Sequence, residues 1–306
     1  MPRYSRVQQI AEQTKKPDWL RVRSATGLNP ERIRTILRTH NLHTVCEEAH
    51  CPNVGECWGG GTATFMLMGD ICTRGCRFCM VKSGNPNGEL DVFEPVKVAT
   101  AIADLGLKYV VITSVDRDDL PDGGAEHFAS TIKAIKKHDP NVVTEVLIPD
   151  FRADESSIRK IVDARPEVIA HNIETTAALT TKIRDPRATY KQSLQVLRTI
   201  KALDRGVYSK TSIMLGLGET EEDIIKTMHD LREVDVNILT LGQYLRPSNG
   251  HIPVVEFVSV SRFEHYKEIA EEMGFLYVAS GPLVRSSYRA AEFFVEALIR
   301  QRRTDP

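Results

Sequence analysis

A chain of 306 residues, 42% of them hydrophobic, is long enough to bury one barrel-sized α/β core or two smaller ones. Forty Lys and Arg face 41 Asp and Glu, so no global charge draws the chain to nucleic acid or to an anionic membrane. No run approaches the ~18 apolar residues of a membrane-spanning helix. The early basic residues Arg3, Arg6, Lys15 and Lys16 lead into no apolar stretch, so neither a signal nor a transit peptide is expected.

The first 60 residues read as an N-terminal extension. Pro17-Asp18-Trp19-Leu20 forms a hook, and Asn29-Pro30-Glu31 caps a short helix to about Thr39. Gly59-Gly60-Gly61 makes a hinge. Residues 61–256 then alternate apolar strands with helix-period segments. Strands are expected at Thr64–Met68, Tyr109–Thr113, Val142–Leu147, Val168–His171, Tyr208–Met214 and Val236–Thr240. Helices are expected at Pro95–Leu105, Gly124–Lys137, Glu155–Asp163, Ala188–Leu203 and Glu221–Arg232. Near-continuous apolar strands in βα repeats indicate a parallel sheet covered by helices. Residues 257–306 form a C-terminal extension, with a helix from Ser259 to about Met273, a strand Phe275–Val278 and a last helix Tyr288–Arg300. The fold class is α/β, and a barrel-like sheet or an open doubly wound one would each gather its sites beyond the strand ends.

All six cysteines fall in two triplets, Cys46, Cys51, Cys57 and Cys72, Cys76, Cys79. Disulfides would suit a short secreted scaffold better than a barrel-sized chain, so a reducing cytoplasm is the expected compartment. Thiolate triplets are soft ligand sets for zinc or an iron–sulfur cluster. Three cysteines leave a fourth position for an outside ligand or substrate. Gly75 lets the second loop turn close to sulfur, and Phe78 would shield a cluster from water. A zinc knuckle completed by His50 or Asp70 is the bland alternative.

The C-x3-C-x-aromatic-C run of Cys72–Cys79, after the first strand of a β/α scaffold, resembles the radical S-adenosylmethionine superfamily. That resemblance implies a partial (β/α)6 TIM-like barrel. It also implies a 4Fe-4S cluster whose open iron binds S-adenosylmethionine and cleaves it reductively to methionine and a 5′-deoxyadenosyl radical. Candidate cofactor contacts lie beyond later strands: Gly123 and Gly124, then Asn172 and Glu174, then Gly216, Gly218 and Glu219. Each glycine could equally serve turn geometry alone, and Glu219 could simply cap a helix. Glu145, a carboxylate in an otherwise apolar strand, needs a partner or a ligand. Arg184 and Arg187 carry forked donors suited to a cofactor carboxylate or to an acidic protein, as does Arg289.

Cys46-Glu-Glu-Ala-His-Cys51-Pro-Asn-Val-Gly-Glu-Cys57, the second triplet, Val115–Leu120, His171–Thr175 and Arg285-Ser286-Ser287-Tyr288 together resemble the lipoyl synthase family, from Trp19 to Arg300. The resemblance implies a second 4Fe-4S cluster on Cys46, Cys51 and Cys57, with a serine as fourth ligand. Ser287 is assigned and Ser286 is the alternative. The same resemblance implies that this second cluster is the sacrificial sulfur donor. The implied reaction inserts sulfur at C6 and C8 of an octanoyl chain held in amide linkage to lysine, consuming two S-adenosylmethionine. Implied partners are an octanoylated lipoyl carrier, an electron donor such as ferredoxin or flavodoxin, and an iron–sulfur carrier that rebuilds the cluster. No nucleic acid or membrane partner is expected, and a monomer is the default. The rivals are another sulfur-inserting radical enzyme and a metal-binding nucleic-acid module.

Overall fold

The computed structural model describes residues 17–20, 28–49, 51, 53–59, 63–287 and 297–299. The strands in chain order are β1 (His43–Thr44), β2 (Thr64–Leu67), β3 (Ile71–Cys72), β4 (Lys82–Ser83), β5 (Tyr109–Ser114), β6 (Val143–Leu147), β7 (Val168–Ala170), β8 (Tyr208–Leu215), β9 (Ile238–Gln243) and β10 (Tyr277–Gly281). Eight of them form one sheet in the order β1-β2-β5-β6-β7-β8-β9-β10. β1 pairs antiparallel with β2, and every other pairing in that sheet is parallel. β3 and β4 make a separate parallel pair that brackets the second cysteine loop.

The expected partial barrel is present, and the C-terminal extension adds to it: β10 joins β9 as a further parallel strand. β2 is buried throughout, as are β7 and β9. Both faces of these strands are therefore covered, which accounts for their continuous apolar runs. The covering helices bury one stripe each. In Ala125–His138 the stripe is Ala125, Phe128, Ala129, Ile132 and Ile135. Three of them start on side-chain caps: Asp154 accepts from Ser157 N, Thr189 from Gln192 N, and Thr220 forms a capping box with Asp223.

Several details differ from the sequence reading, among them the last strand, Tyr277–Gly281 where Phe275–Val278 was expected. β9 begins at Ile238, later than the expected Val236, because Asp235 turns left-handed at φ 58° and Val236 N is spent on Leu231 O. A short helix, Ala177–Ile183, follows β7 where none was expected. The extension is not separately packed: Ile33, Leu37, Cys46 and Trp58 share one core with β2, β5 and the helices outside them. Of the glycine hinge, Gly59 ends the helix Val54–Gly59, while Gly60 and Gly61 lie outside the described residues. The last helix also lies largely outside them, and 297–299 are helical. Among the described residues no helix is long and apolar enough to cross a membrane.

Candidate active site

A cavity of about 520 Å³ opens at the carboxyl ends of the parallel strands. Cys51, Cys72, Cys76, Phe78 and Cys79 all line it, as do Ser286 and Ser287 from the far end of the chain. Residues separated by more than two hundred positions thus face one space.

The Cys72–Cys79 loop is braced from both sides. Arg74, 4% exposed, donates through Nε and Nη2 to the two oxygens of Asp118 at 2.9 and 3.0 Å. It also grips both oxygens of Asp150, with Nη2 at 2.7 Å from Oδ1, and lies 3.4 Å from Asp116. Asp116 and Asp118 follow β5 and Asp150 follows β6, so one side chain ties the cysteine loop to two strand ends. Opposite, Asp185 accepts from Gly75 N at 2.9 Å and is held by Arg187 Nε at 2.8 Å. Arg187 draws the Asp185 carboxyl well below its usual range. The thiol sulfurs accept from backbone as well: Cys72 from Arg74 N at 3.4 Å and Cys76 from Asp185 N at 3.3 Å.

Burial pushes the Cys72 thiol up to about 12, with the Asp116 charge adding to the rise, and Cys76 up to about 11. Without a metal cation these thiols keep their protons; a bound cation removes them. Cys46, Cys51, Cys72, Cys76 and Cys79 are free thiols. Among the described residues no three His, Cys, Asp or Glu side chains converge on a point that one ion could occupy. A cubane asks for wider spacing, because each thiolate binds its own iron. Asp70, the proposed completion of a zinc knuckle, is instead paired with Lys82 at 2.6 Å; His50 lies outside the described residues.

Beyond β7, Asn172, Glu174 and Arg184 line the same cavity. Asn172 Nδ2 donates to Glu174 Oε1 at 3.1 Å, and Arg184 Nη1 donates to Ser193 Oγ at 2.7 Å. Asn172 Oδ1 and Arg184 Nε are buried with no partner among the described residues. Buried polar atoms are paired as a rule, so two orphans beside one void mark where a polar cofactor fits. Burial raises Glu174 above the ordinary carboxylate range.

Several candidate residues sit elsewhere. Glu145 does not reach the cavity lining. It is a buried partner of Lys210, Oε1 to Nζ at 2.6 Å, and accepts from Tyr109 Oη at 2.5 Å. The partner that its burial demanded is a lysine on β8. Gly124 caps the helix Ala125–His138 at φ 87°, where a Cβ would collide with Met68 Sδ. Gly123 lines a separate cavity of about 110 Å³ beneath Phe151. Gly216 is packed against Gln243 and the Glu256 carbonyl, and Gly218 turns left-handed at φ 104° beside Val255. Glu219 folds back onto this loop, accepting from Gly216 N at 2.5 Å and Leu217 N at 2.9 Å. These groups shape the loops around the cavity, and none of them lines it.

The first triplet stands on two short helices. Cys46, 7% exposed, lies in Val45–Glu48, which Thr44 caps through Glu47 N at 3.4 Å. Cys57 lies in Val54–Gly59 and packs against the core. Cys51 joins them, its N donating to Cys46 O at 3.1 Å, and it is the member of this triplet on the cavity wall. Asn53 Nδ2 donates to Leu283 O at 2.7 Å across 230 residues, drawing the turn that holds Ser286 and Ser287 against this region. Burial holds the nearby Arg285 guanidinium below its ordinary range, with Cys51 opposing. Tyr288 and Arg289 lie outside the described residues. The Arg74 brace was missed in the sequence. Its signal was an arginine between cysteines, with aspartates after the next two strands.

The radical S-adenosylmethionine superfamily model matches residues 66–231 of the chain, and the model of the N-terminal domain of lipoyl synthase matches residues 3–51. A lipoyl synthase from Myxococcus xanthus is 54% identical over 296 residues, covering 97% of this chain and 99% of that relative. A mitochondrial lipoyl synthase from Homo sapiens is 52% identical over 301 residues, covering 97% of this chain and 81% of that protein. Among solved structures, methylornithine synthase superimposes with a TM-score of 0.52 at 14% identity, over 86% of this chain and 85% of that one, a likeness of fold alone.

Proposed function

Since the chain belongs to the lipoyl synthase family of radical S-adenosylmethionine enzymes, we propose that its two cysteine triplets divide the work of one reaction. The protein is a radical sulfurtransferase that uses 4Fe-4S clusters and S-adenosylmethionine, and its substrate is the octanoyl chain of a lipoyl carrier. When bound, these groups supply the electron, the hydrogen-abstracting species and the sulfur atoms inserted at C6 and C8.

The chain's own residues do the rest. Cys72, Cys76 and Cys79 hold the radical cluster, and Phe78 keeps water from it. Asn172, Glu174 and Arg184 receive the cofactor's polar head, the unpartnered Asn172 Oδ1 and Arg184 Nε accepting and donating there. Cys46, Cys51 and Cys57 hold the donor cluster, with Ser287 as fourth ligand. The observation that carries this reading is the shared cavity: a short-lived radical needs its sulfur within reach, and Cys51, Ser287 and the second triplet open onto one space. Residues 1–60 and 257–306 act as extensions that complete a barrel of residues 61–256.

An electron donor such as ferredoxin or flavodoxin and an iron–sulfur carrier for cluster rebuilding complete the proposed partners. Thiols kept as cluster ligands need a reducing compartment, which we assign as the cytoplasm. The test is anaerobic turnover with S-adenosylmethionine, a strong reductant and an octanoyl-lysine peptide, followed by mass spectrometry. A peptide carrying two added sulfurs is expected. Deoxyadenosine accumulating beside an unaltered peptide overturns the reading.

A further inference from the structure

The turn after β10 carries a buried donor with no acceptor among the described residues. Arg285 Nη1 is spent on its own turn, donating to Val284 O at 2.6 Å and to Pro282 O at 3.3 Å. Nη2 is buried and has no hydrogen-bond partner among the described residues. A guanidinium N–H left unpaired in the interior is costly, so a partner beyond the described residues is called for.

Two contacts fix the guanidinium there. Gly242, at the end of β9, leaves the room: a Cβ on it would collide with Val284 O and come within 3.5 Å of Arg285 Nη1. On the other side the Asn53–Leu283 bond ties the turn to the first triplet. Arg285 lines the cavity together with Cys51, Ser286 and Ser287. The carboxylates on that cavity already have partners: Asp116 has Arg74, Glu174 has Asn172, and Asp150 has Arg74. Cys51 stands on the same cavity wall.

We propose that Arg285 is the hydrogen-bond donor to anionic sulfur at the Cys46, Cys51 and Cys57 site, Nη2 meeting a thiolate or sulfide of the cluster held there. The inference rests on reading those three cysteines as cluster ligands. A cationic donor at sulfur favours the more negative oxidation state and raises the cluster's reduction potential. It also holds the serine-bearing turn against the metal. Lysine would keep the charge and lose the fork.

The test uses the full chain with Cys72, Cys76 and Cys79 changed to alanine, so that one cluster remains. It is loaded anaerobically with iron and sulfide and carries isotopically labelled guanidino nitrogen. Pulsed electron paramagnetic resonance of the reduced cluster is expected to show hyperfine coupling to a guanidino nitrogen. In redox titration, Arg285→Leu is expected to lower the reduced-to-oxidised ratio about tenfold at fixed poise, a shift of about 59 mV for one electron. Arg285→Lys should recover most of that shift. A reduced four-iron signal without guanidino coupling overturns the role of Arg285 and leaves the cluster reading intact. No iron–sulfur signal at all overturns the cluster reading, and this inference with it. Should Arg285→Leu fail to hold iron, the coupling measured with Arg285 in place still decides.

Discussion

The two triplets are built in opposite ways. The Cys72–Cys79 loop is clamped by Arg74 and Asp185 to strand ends of the barrel, and most of its polar groups are satisfied. The first triplet rests on helices of four and six residues and is closed by a turn from the other end of the chain. Near it Asn53 Oδ1 and Arg285 Nη2 have no hydrogen-bond partner among the described residues, as Asn172 Oδ1 and Arg184 Nε have none beside the second triplet. The braced site suits a group that must return unchanged to one geometry at every turnover. The looser site suits a cluster that is dismantled and replaced.

That contrast is broken most severely at the cysteines themselves. Replacing Cys72, Cys76 and Cys79 with alanine should halve the iron from about 8 to about 4 per chain and abolish cleavage of S-adenosylmethionine. Deoxyadenosine formed by this variant under reduction would sink the division of labour. Alanine at Cys46, Cys51 and Cys57 should give the mirror result: deoxyadenosine still forms, and mass spectrometry finds no carbon–sulfur bond in the peptide. Ser287→Ala comes next. Product formation should fall by more than the ~10–100-fold usual when an outer partner of a metal site is lost, while cofactor cleavage persists. Equal activity in Ser287→Ala and wild type, with Ser286→Ala inactive, would reassign the ligand.

The brace can be tested without touching sulfur. Asp150→Ala leaves one face of the Arg74 guanidinium unpaired in the interior, at a cost of about 3–5 kcal/mol. Thermal melts should show the loss. Hydrogen exchange should rise around Cys72–Cys79 and stay level around Cys46–Cys57, and equal changes in both regions would contradict the contrast.

The smallest effect is a pH dependence. Burial, reinforced by the Arg184 charge, lowers His171 from 6.5 to about 4. It sits neutral between Ile148 O at 3.0 Å and Ser193 Oγ at 2.9 Å. Below pH 6.5 the unfolded chain takes up a proton that the folded chain refuses. The stability due to this group is therefore complete above that pH and is lost as pH falls towards 4, at up to ~1.4 kcal/mol per unit. His171→Gln should flatten that limb of the stability curve, as measured by denaturant titration across the window.

Much of this molecule is local in sequence and was legible there. The βα rhythm follows from runs such as Tyr109–Thr113, and the cysteine spacings announce metal chemistry without any fold. What stayed hidden are pairings between distant positions. Glu145 declares a need by being charged in an apolar strand, but nothing near it names Lys210, 65 residues on. Arg74 reads as one more polar residue in a loop until Asp118 and Asp150 are brought to it. Glycines after strands look alike on paper. Gly124 and Gly216 are there because Met68 and Gln243 leave no room for a Cβ. The helix Ala177–Ile183 carries two threonines and just seven residues, too short for periodicity to show.

The bond from Asn53 to Leu283 also sets a timetable. A ribosome adds ~5–20 residues per second, so the 230 positions between them take roughly 10–50 s to make. For most of that interval Cys46, Cys51 and Cys57 have been made while the turn bearing Ser287 does not yet exist. The Cys72–Cys79 loop waits far less, since Asp118, Asp150 and Asp185 all emerge within about the next hundred residues. On the proposed assignment of Ser287 as fourth ligand, the donor site is complete only when synthesis is nearly over.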